Sequence, residues 1–224
     1  MNNWICRVIR QGEDNAARNM ATDEALMQLI TQPVLRFYRW SEPAMTIGYF
    51  QKWIEVPEGR PFARRYTGGG LVDHKADFTY SIIVPKEHPL DARGTSSSYE
   101  DIHRAVASGL LREGFDVEVV PTTDPDPHSE CFQRAVKFDV VSSTGNMKIA
   151  GAAQRRSRTG TLHQGSIIPG GIFDWESLSH SLQSQIAPLL GDTVVVSELN
   201  QAEQTLTSEL TQNRYSTKEW NQQK

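Results

Sequence analysis

The pattern of hydrophobic and polar positions predicts short strands with a few helices between them. Alternating or β-branched runs that favour strands lie at residues 4–9, 34–40, 45–50, 78–84 and 115–120. Three more such runs, typical of a strand meander, lie at residues 136–141, 147–156 and 161–168. Apolar residues at helical spacing predict helices that begin near residues 14, 97, 175 and 200.

Polar residues at the predicted helix starts support these boundaries. Asp14 or Asn15 is suited to cap the first helix, and Asp174 the third. Residues 97–100 have the spacing of a capping box and predict the start of the second helix there. The glycine-containing turn at residues 11–14 predicts that the first strand ends before it.

This order of elements favours one α+β domain over residues 1–224. The strand runs cluster instead of alternating strictly with helices, which indicates mixed or antiparallel sheets flanked by helices. No internal repeat or low-complexity linker divides the sequence. The sequence after about residue 191 does not indicate where that region lies in the predicted domain. The glutamine-rich tail from Asn200 predicts one amphipathic helix and then a frayed end.

Composition narrows the class of protein. The 224 residues are 38% hydrophobic and 22% charged, which is typical of a globular protein with a substantial core. No apolar run reaches the ~20 residues of a membrane helix, and residues 1–7 lack a signal core, so we expect a cytoplasmic protein that does not contact membranes. We also expect a monomer. A formal net charge of −4 argues against general nucleic-acid binding. The two cysteines show no zinc spacing, so no metal site is predicted.

Three consecutive glycines, Gly68, Gly69 and Gly70, follow a pair of arginines and precede a predicted strand. Glycine permits positive φ, and it also permits close approach of a ligand to the backbone N–H groups. A tight turn and a ligand-binding wall therefore both fit this stretch. Arg65 before it and His74 after it favour an anionic or carbonyl-bearing ligand. The stretch lacks the Gly-Lys-Ser/Thr of a phosphate-binding loop and the dinucleotide-binding fingerprint.

Cys131 is a candidate nucleophile. A thiolate attacks carbonyl carbons readily, and a nearby cation or imidazole favours it over the thiol. His128 is close in sequence, and Lys148 lies across the predicted hairpin. The alternative is that Cys131 is a small buried hydrophobe, as we expect for Cys6 in the first strand.

Lys148 is the second candidate for chemistry. Strand alternation puts it on one face with Ala150, Ala152 and Gln154, where small neighbours leave room beside an ammonium. The alternative is a solvated lysine at a hairpin edge.

The ordered motifs together resemble the lipoate-protein ligase A / octanoyltransferase family. They are the glycine motif from Arg64 to His74, the lysine strand from Lys148 to Arg156 and the segment from His163 to Ile167. The resemblance spans roughly residues 4–168. The Ser-Glu-Cys-Phe sequence around Cys131 is similar to the branch of octanoyltransferases whose cysteine forms an acyl thioester.

This resemblance implies the fold of a biotin/lipoate ligase catalytic domain and an acyl-transfer reaction. Cys131 would attack the thioester of octanoyl-acyl carrier protein, and Lys148 would favour its thiolate and hold the acyl carbonyl. The octanoyl or lipoyl group would then pass to a lysine of a lipoyl domain or of the glycine-cleavage H protein. No cofactor would be required.

The resemblance also implies an acyl pocket and a docking surface. The pocket residues carried over from the family motifs are Arg65, Gly68, Gly69, Gly70, Leu71, Val72, His74, Gly151, Ala152 and Gln154. The arginines suited to contact an acidic carrier protein are Arg155, Arg156 and Arg158.

Other functions remain open from the sequence. Gly70 is more typical of ATP-dependent ligases, where Mg-ATP would activate free lipoate or octanoate and Cys131 would be a bystander. An amidotransferase that takes octanoyl from the H protein would use the same chemistry. A noncatalytic lipoyl-domain-binding or acyl-binding module would keep the pocket without the reaction. Biotin transfer is disfavoured because the glycine motif differs from that of biotin ligases.

Overall fold

The computed structural model describes residues 3–121, 135–144 and 147–223. The strands are β1 (Ile5–Asp14), β2 (Val34–Trp40), β3 (Met45–Ile47), β4 (Phe62–Arg64), β5 (Val72–Asp73), β6 (Phe78–Pro85), β7 (Val117–Val119), β8 (Val140–Ser142), β9 (Lys148–Arg156), β10 (Gly160–Ile167) and β11 (Thr193–Val196). The α-helices are α1 (Ala16–Gln28), α2 (Pro89–Ala92), α3 (Gly94–Arg112), α4 (Trp175–Ile186), α5 (Gln201–Leu210) and α6 (Lys218–Asn221). Short 3₁₀ turns lie at Trp53–Glu55 and Ala187–Leu189, and a π-helical turn at Thr211–Tyr215.

Within the described residues the strands form two sheets. The larger sheet has eight strands in the order β11-β1-β2-β6-β10-β9-β8-β7, parallel from β11 to β2 and antiparallel from β2 to β7. The smaller sheet has the order β4-β3-β5, with β4 parallel and β5 antiparallel to β3. The predicted α+β class with mixed sheets flanked by helices is confirmed.

The larger sheet is covered by helices on both faces. In β6 every residue is buried, which matches its continuous run of strand-forming residues. Phe78, Tyr80 and Ile82 occupy every second position of β6, and their side chains pack with α3 and α4 in the principal core. Ser81 points the other way and bonds to Asp23 of α1. Helix α1 is thus buried along most of its length.

Local sequence signals predicted some boundaries of helices and strands correctly and others incorrectly. Asn15 caps α1 and Asp174 caps α4, as predicted. The predicted end of the first strand is wrong, because β1 continues to Asp14 after a register shift between Arg10 and Glu13. The predicted capping box is wrong as well, because α3 begins at Gly94 and residues 97–100 lie inside it.

The C-terminal region is docked, which corrects the expectation of a frayed end. Tyr215 is buried, and its hydroxyl donates to Glu24 of α1 at 2.6 Å. The Trp220 indole N–H donates to the Arg64 carbonyl at 2.9 Å. The Arg64 guanidinium in turn donates to the carbonyls of Trp220 and Asn221. The segment after α5 therefore supports the strand that leads into the glycine motif.

Candidate active site

A cleft opens between the glycine motif and the strands β9 and β10, with a volume of about 90 Å³. Its lining combines small residues with hydroxyl and charged groups. The lining residues are Met20, Tyr38, Thr46, Arg65, Gly69, Gly70, Val72, His74, Thr79, Lys148, Gly151, Ala152, Ala153, Gln164, Gly165 and Ser166.

Arg65 holds the glycine loop in shape. Its guanidinium is buried and donates to the carbonyls of Gly68 at 3.0 Å and Gly70 at 2.7 Å. It also donates to the carbonyl and hydroxyl of Thr46. Burial lowers the pKa of Arg65 to about 10, which still leaves the group charged at neutral pH. The arginine therefore fixes the backbone that lines the cleft.

The turn interpretation of the three glycines applies at Gly69. Gly69 has φ +87°, which favours glycine for conformational reasons. Gly48 packs beneath the same loop, and a Cβ there would lie 1.9 Å from the Gly69 carbonyl oxygen. The loop thus needs one glycine for its turn and another for its support.

His74 belongs to a hydrogen-bonded chain at one side of the cleft. Its Nδ1–H donates to Asp77 Oδ2 at 2.7 Å, and its Nε2 lies 2.7 Å from the Thr46 hydroxyl. The imidazole stacks on Trp40, with ring centroids 3.9 Å apart. The same Asp77 oxygen accepts from the Ser166 hydroxyl at 2.7 Å. The imidazole is therefore fixed in orientation by polar and stacking contacts.

Lys148 lies on the opposite side of the cleft, over Gly151. Its ammonium forms an ion pair with Asp139 at 2.8 Å. A Cβ on Gly151 would lie 2.6 Å from Lys148 Nζ, so the glycine provides the space that the ammonium occupies. The register of β8 and β9 shifts between Val140 and Val141. Of its predicted face neighbours, Ala152 lines the cleft with Lys148, whereas Ala150 packs in the principal core and Gln154 bonds to Ser98 and His163.

Asp139 and Tyr99 were missed by sequence reasoning. Asp139 is fully buried, and its Oδ1 accepts from the Tyr99 hydroxyl at 2.6 Å. The sequence pattern gave no signal for this burial, because Asp139 stands at a polar position of the alternating run predicted as a strand. A buried carboxylate needs a partner, and here the partner is the candidate lysine.

A cluster of aromatic and imidazole rings lies beneath this part of the sheet. The His103 and His163 rings are 5.6 Å apart, and Tyr99 packs against His103 at 4.1 Å. Burial lowers the pKa of His103 to about 4 and holds that of His163 well below its ordinary value. Both imidazoles are therefore neutral at neutral pH.

The predicted site residues divide into three groups. Those that line the cleft are Arg65, Gly69, Gly70, Val72, His74, Lys148, Gly151 and Ala152. Gly68 and Leu71 belong to the same loop but are not part of that lining, and Gln154 bonds to Ser98 and His163 on the α3 face. Cys131 and His128 lie outside the described residues.

The three predicted docking arginines differ in their contacts. Arg155 lies over the Tyr66 ring at 3.7 Å and donates to the Tyr66 carbonyl. Arg156 donates to the carbonyl and carboxylate of Asp91. Arg158 is exposed.

Two further findings concern the described residues alone. No set of three or more His, Cys, Asp or Glu side chains is arranged there to hold a metal ion. No helix in that part of the chain has the length and apolar character needed to cross a membrane.

The fold is that of the lipoate-protein ligases. The chain superposes with a TM-score of 0.78 on a bi-partite lipoate protein ligase from Thermoplasma acidophilum, covering 98% of this chain and 96% of that one at 23% identity. The TM-score is 0.79 with a lipoate-protein ligase A bound with ATP, covering 99% of both chains at 24% identity.

Sequence similarity then defines the family. Residues 15–208 match the lipoyl protein ligase A/B catalytic domain, and the chain belongs to that family. The octanoyltransferase LipM of Macrococcus caseolyticus is 37% identical over 184 residues, which cover 74% of this chain. The match covers 65% of that relative, so the chain spans slightly less than two thirds of its length.

Proposed function

We propose that this chain is an octanoyltransferase that acts through an acyl-cysteine intermediate. The observation that carries the proposal is the position of Lys148, whose ammonium lies in a cleft between small residues of β9 and the glycine loop. An ammonium there is suited to hold an acyl carbonyl while the aliphatic chain lies along a wall with few side chains. The similarity to octanoyltransferases supports the same conclusion.

In the first step the Cys131 thiolate attacks the carbonyl carbon of an octanoyl thioester on acyl carrier protein. A carbon–sulfur bond to Cys131 forms, and the bond to the carrier's sulfur breaks. The carrier thiolate leaves and takes up a proton. Lys148 stabilises the negative charge that develops on the carbonyl oxygen.

In the second step the uncharged amine of a lysine on the acceptor protein attacks the acyl-cysteine. A carbon–nitrogen bond forms and the carbon–sulfur bond breaks, so the products are an octanoyl amide and free Cys131. The proton lost by the amine returns to the thiolate or to solvent. The net reaction exchanges a thioester for an amide and requires no cofactor.

The proposed partners are octanoyl-acyl carrier protein as donor and a lipoyl domain or the glycine-cleavage H protein as acceptor. We place the reaction in the cytoplasm. Of the three predicted docking arginines, Arg158 is the best suited to meet an acidic partner, since Arg155 and Arg156 bond within the chain.

The test is the intact mass of the protein after mixing with octanoyl-acyl carrier protein without ATP. We expect an added octanoyl mass of about 126 Da that hydroxylamine removes. Cys131→Ala should never acquire it. Cys6→Ala is the matched control, because Cys6 is buried and burial raises the pKa of its thiol to about 12. It should be acylated like the wild type.

Two results would overturn the proposal. Transfer to a lipoyl domain only when ATP, Mg²⁺ and free octanoate or lipoate are supplied would identify a ligase. Binding of a lipoyl domain without acyl transfer under either condition would identify a noncatalytic module.

A further inference from the structure

We propose that Asp139 is a positioning residue, which holds the Lys148 ammonium where it meets the acyl carbonyl. This inference rests on the proposed acyl transfer, and it assigns a role to a residue outside the motifs that carry the family resemblance. Four observations support it.

The first observation is the ion pair itself. Asp139 Oδ2 lies 2.8 Å from Lys148 Nζ, and the carboxylate is fully buried while the lysine side chain is 15% exposed. A pair so shielded from water has a stronger electrostatic interaction than a surface pair. The carboxylate therefore restrains a long side chain that otherwise has many rotamers.

The second observation is that the carboxylate is itself held in place. Oδ1 accepts from the Tyr99 hydroxyl at 2.6 Å, and Oδ2 accepts from the Val136 backbone N–H at 2.8 Å. The Tyr99 hydroxyl also accepts from the Ala152 backbone N–H at 3.0 Å. Helix α3, the segment before β8 and strand β9 therefore meet at this one carboxylate.

The third observation is the donor character of Tyr99. Burial and the nearby Asp139 raise the pKa of the Tyr99 phenol. The hydroxyl therefore keeps its proton throughout the neutral range and remains a donor to the carboxylate.

The fourth observation is the backbone just before Asp139. Phe138 has φ +73°, which is unfavourable for a bulky residue. Its carbonyl accepts from His103 Nδ1 at 2.7 Å, and its N–H donates to the Val120 carbonyl at 2.8 Å. Strained backbone of this kind persists where surrounding contacts fix it, and it is concentrated at functional sites. Here it turns the next residue toward the lysine.

The experiment is a double-mutant cycle on acyl-enzyme formation. Asp139→Asn should lower the rate about 10–100-fold with little change in KM, because the ammonium is displaced and not removed. Lys148→Met should cause a larger loss, and the double variant should be no slower than Lys148→Met alone. Asp139→Glu should recover part of the rate. Tyr99→Phe should cause a smaller loss than Asp139→Asn.

Asp101→Asn is the matched control, since Asp101 lies on the same helix as Tyr99 and pairs with Arg93. It should leave the rate unchanged. Additive losses in the cycle would overturn the inference. A loss in Asp139→Asn that merely follows a lower melting temperature, without recovery in Asp139→Glu, would overturn it as well.

A second readout needs no acyl transfer. In competitive labelling with acetic anhydride at pH 8, Asp139→Asn should increase acetylation of Lys148 relative to Lys75, because loss of the ion pair releases a mostly buried side chain toward solvent. Unchanged labelling would overturn the inference. Labelling could increase while octanoyl-acyl carrier protein never acylates the wild-type protein. That result would support the contact between Asp139 and Lys148 and reject the acyl-transfer function.

Discussion

The Lys148 ammonium occupies the space that a side chain at residue 151 would fill. Lys148 Nζ lies 2.6 Å from the position of a Cβ on Gly151, and Cε lies 2.4 Å from it. Real Cβ atoms do not approach other atoms so closely, so any residue other than glycine moves the lysine. The glycine three residues after the lysine in this sequence therefore has a steric reason.

Gly151→Ala should separate the ammonium from the cleft without unfolding the protein. We expect acyl-enzyme formation to fall about 10–100-fold, since small displacements of a catalytic group are costly. Thermal unfolding should change less than in Asp23→Asn, because Asp139 keeps its hydrogen bonds to Tyr99 and Val136 when the lysine moves aside. Gly12→Ala is the control, as nothing lies within 4 Å of a Cβ there. A Gly151→Ala variant with full activity would contradict the proposed role of the Lys148 ammonium in acyl transfer.

Arg65→Lys should loosen the glycine loop while keeping the positive charge. The guanidinium bonds to the Gly68 and Gly70 carbonyls together, and an ammonium cannot reproduce that geometry. We expect KM for the octanoyl carrier to rise about tenfold, consistent with the loss of one or two hydrogen bonds. Hydrogen exchange of residues 68–72 should accelerate as well. An unchanged exchange rate would show that the loop does not depend on the arginine.

Asp23→Asn should destabilise the whole domain. Asp23 and Arg36 form an ion pair at 2.6 Å with both side chains fully buried, and Asp23 also accepts from Ser81. Removing one charge leaves the other buried without compensation, which costs about 3–5 kcal/mol. Urea unfolding measures the loss. Glu100→Gln, which breaks the mostly exposed pair with Arg104, should cost about 0.5 kcal/mol or less. Equal losses would contradict this explanation.

Stability should fall in mild acid because of His103. Its pKa is about 4 in the folded protein, below its ordinary 6.5, because burial disfavours the imidazolium. The unfolded chain therefore takes up the proton first as the pH drops. The contribution of neutral His103 to the free energy of unfolding is fully present above pH 6.5. About 3 kcal/mol of it is lost as the pH falls from 6.5 to 4.

The variant His103→Asn tests this pH dependence. Its amide can still donate to the Phe138 carbonyl but does not titrate in this range. The free energy of unfolding, measured from pH 7.5 to 4.5, should depend less steeply on pH in the variant than in the wild type. The same slope in both proteins would assign the acid sensitivity to other groups.

Much of the fold could be predicted from local sequence signals. The β-branched runs defined β2 and β6 closely, and the polar caps Asn15 and Asp174 fixed the starts of α1 and α4. These features depend on residues within a few positions of each other, so a single sequence contains the information. The ordered glycine and lysine motifs likewise indicated the family that the comparisons establish.

Only the tertiary structure decided which groups meet at the cleft. Tyr99 and Asp139 are 40 residues apart and share a hydrogen bond, and Arg64 contacts a C-terminal segment more than 150 residues away. The local sequence pattern does not predict contacts between residues so far apart in the chain, because these contacts depend on how helices and strands pack. The sequence determined most of the strands and helices, the family and the candidate lysine, whereas packing decided its carboxylate partner and the docking of the C-terminal region.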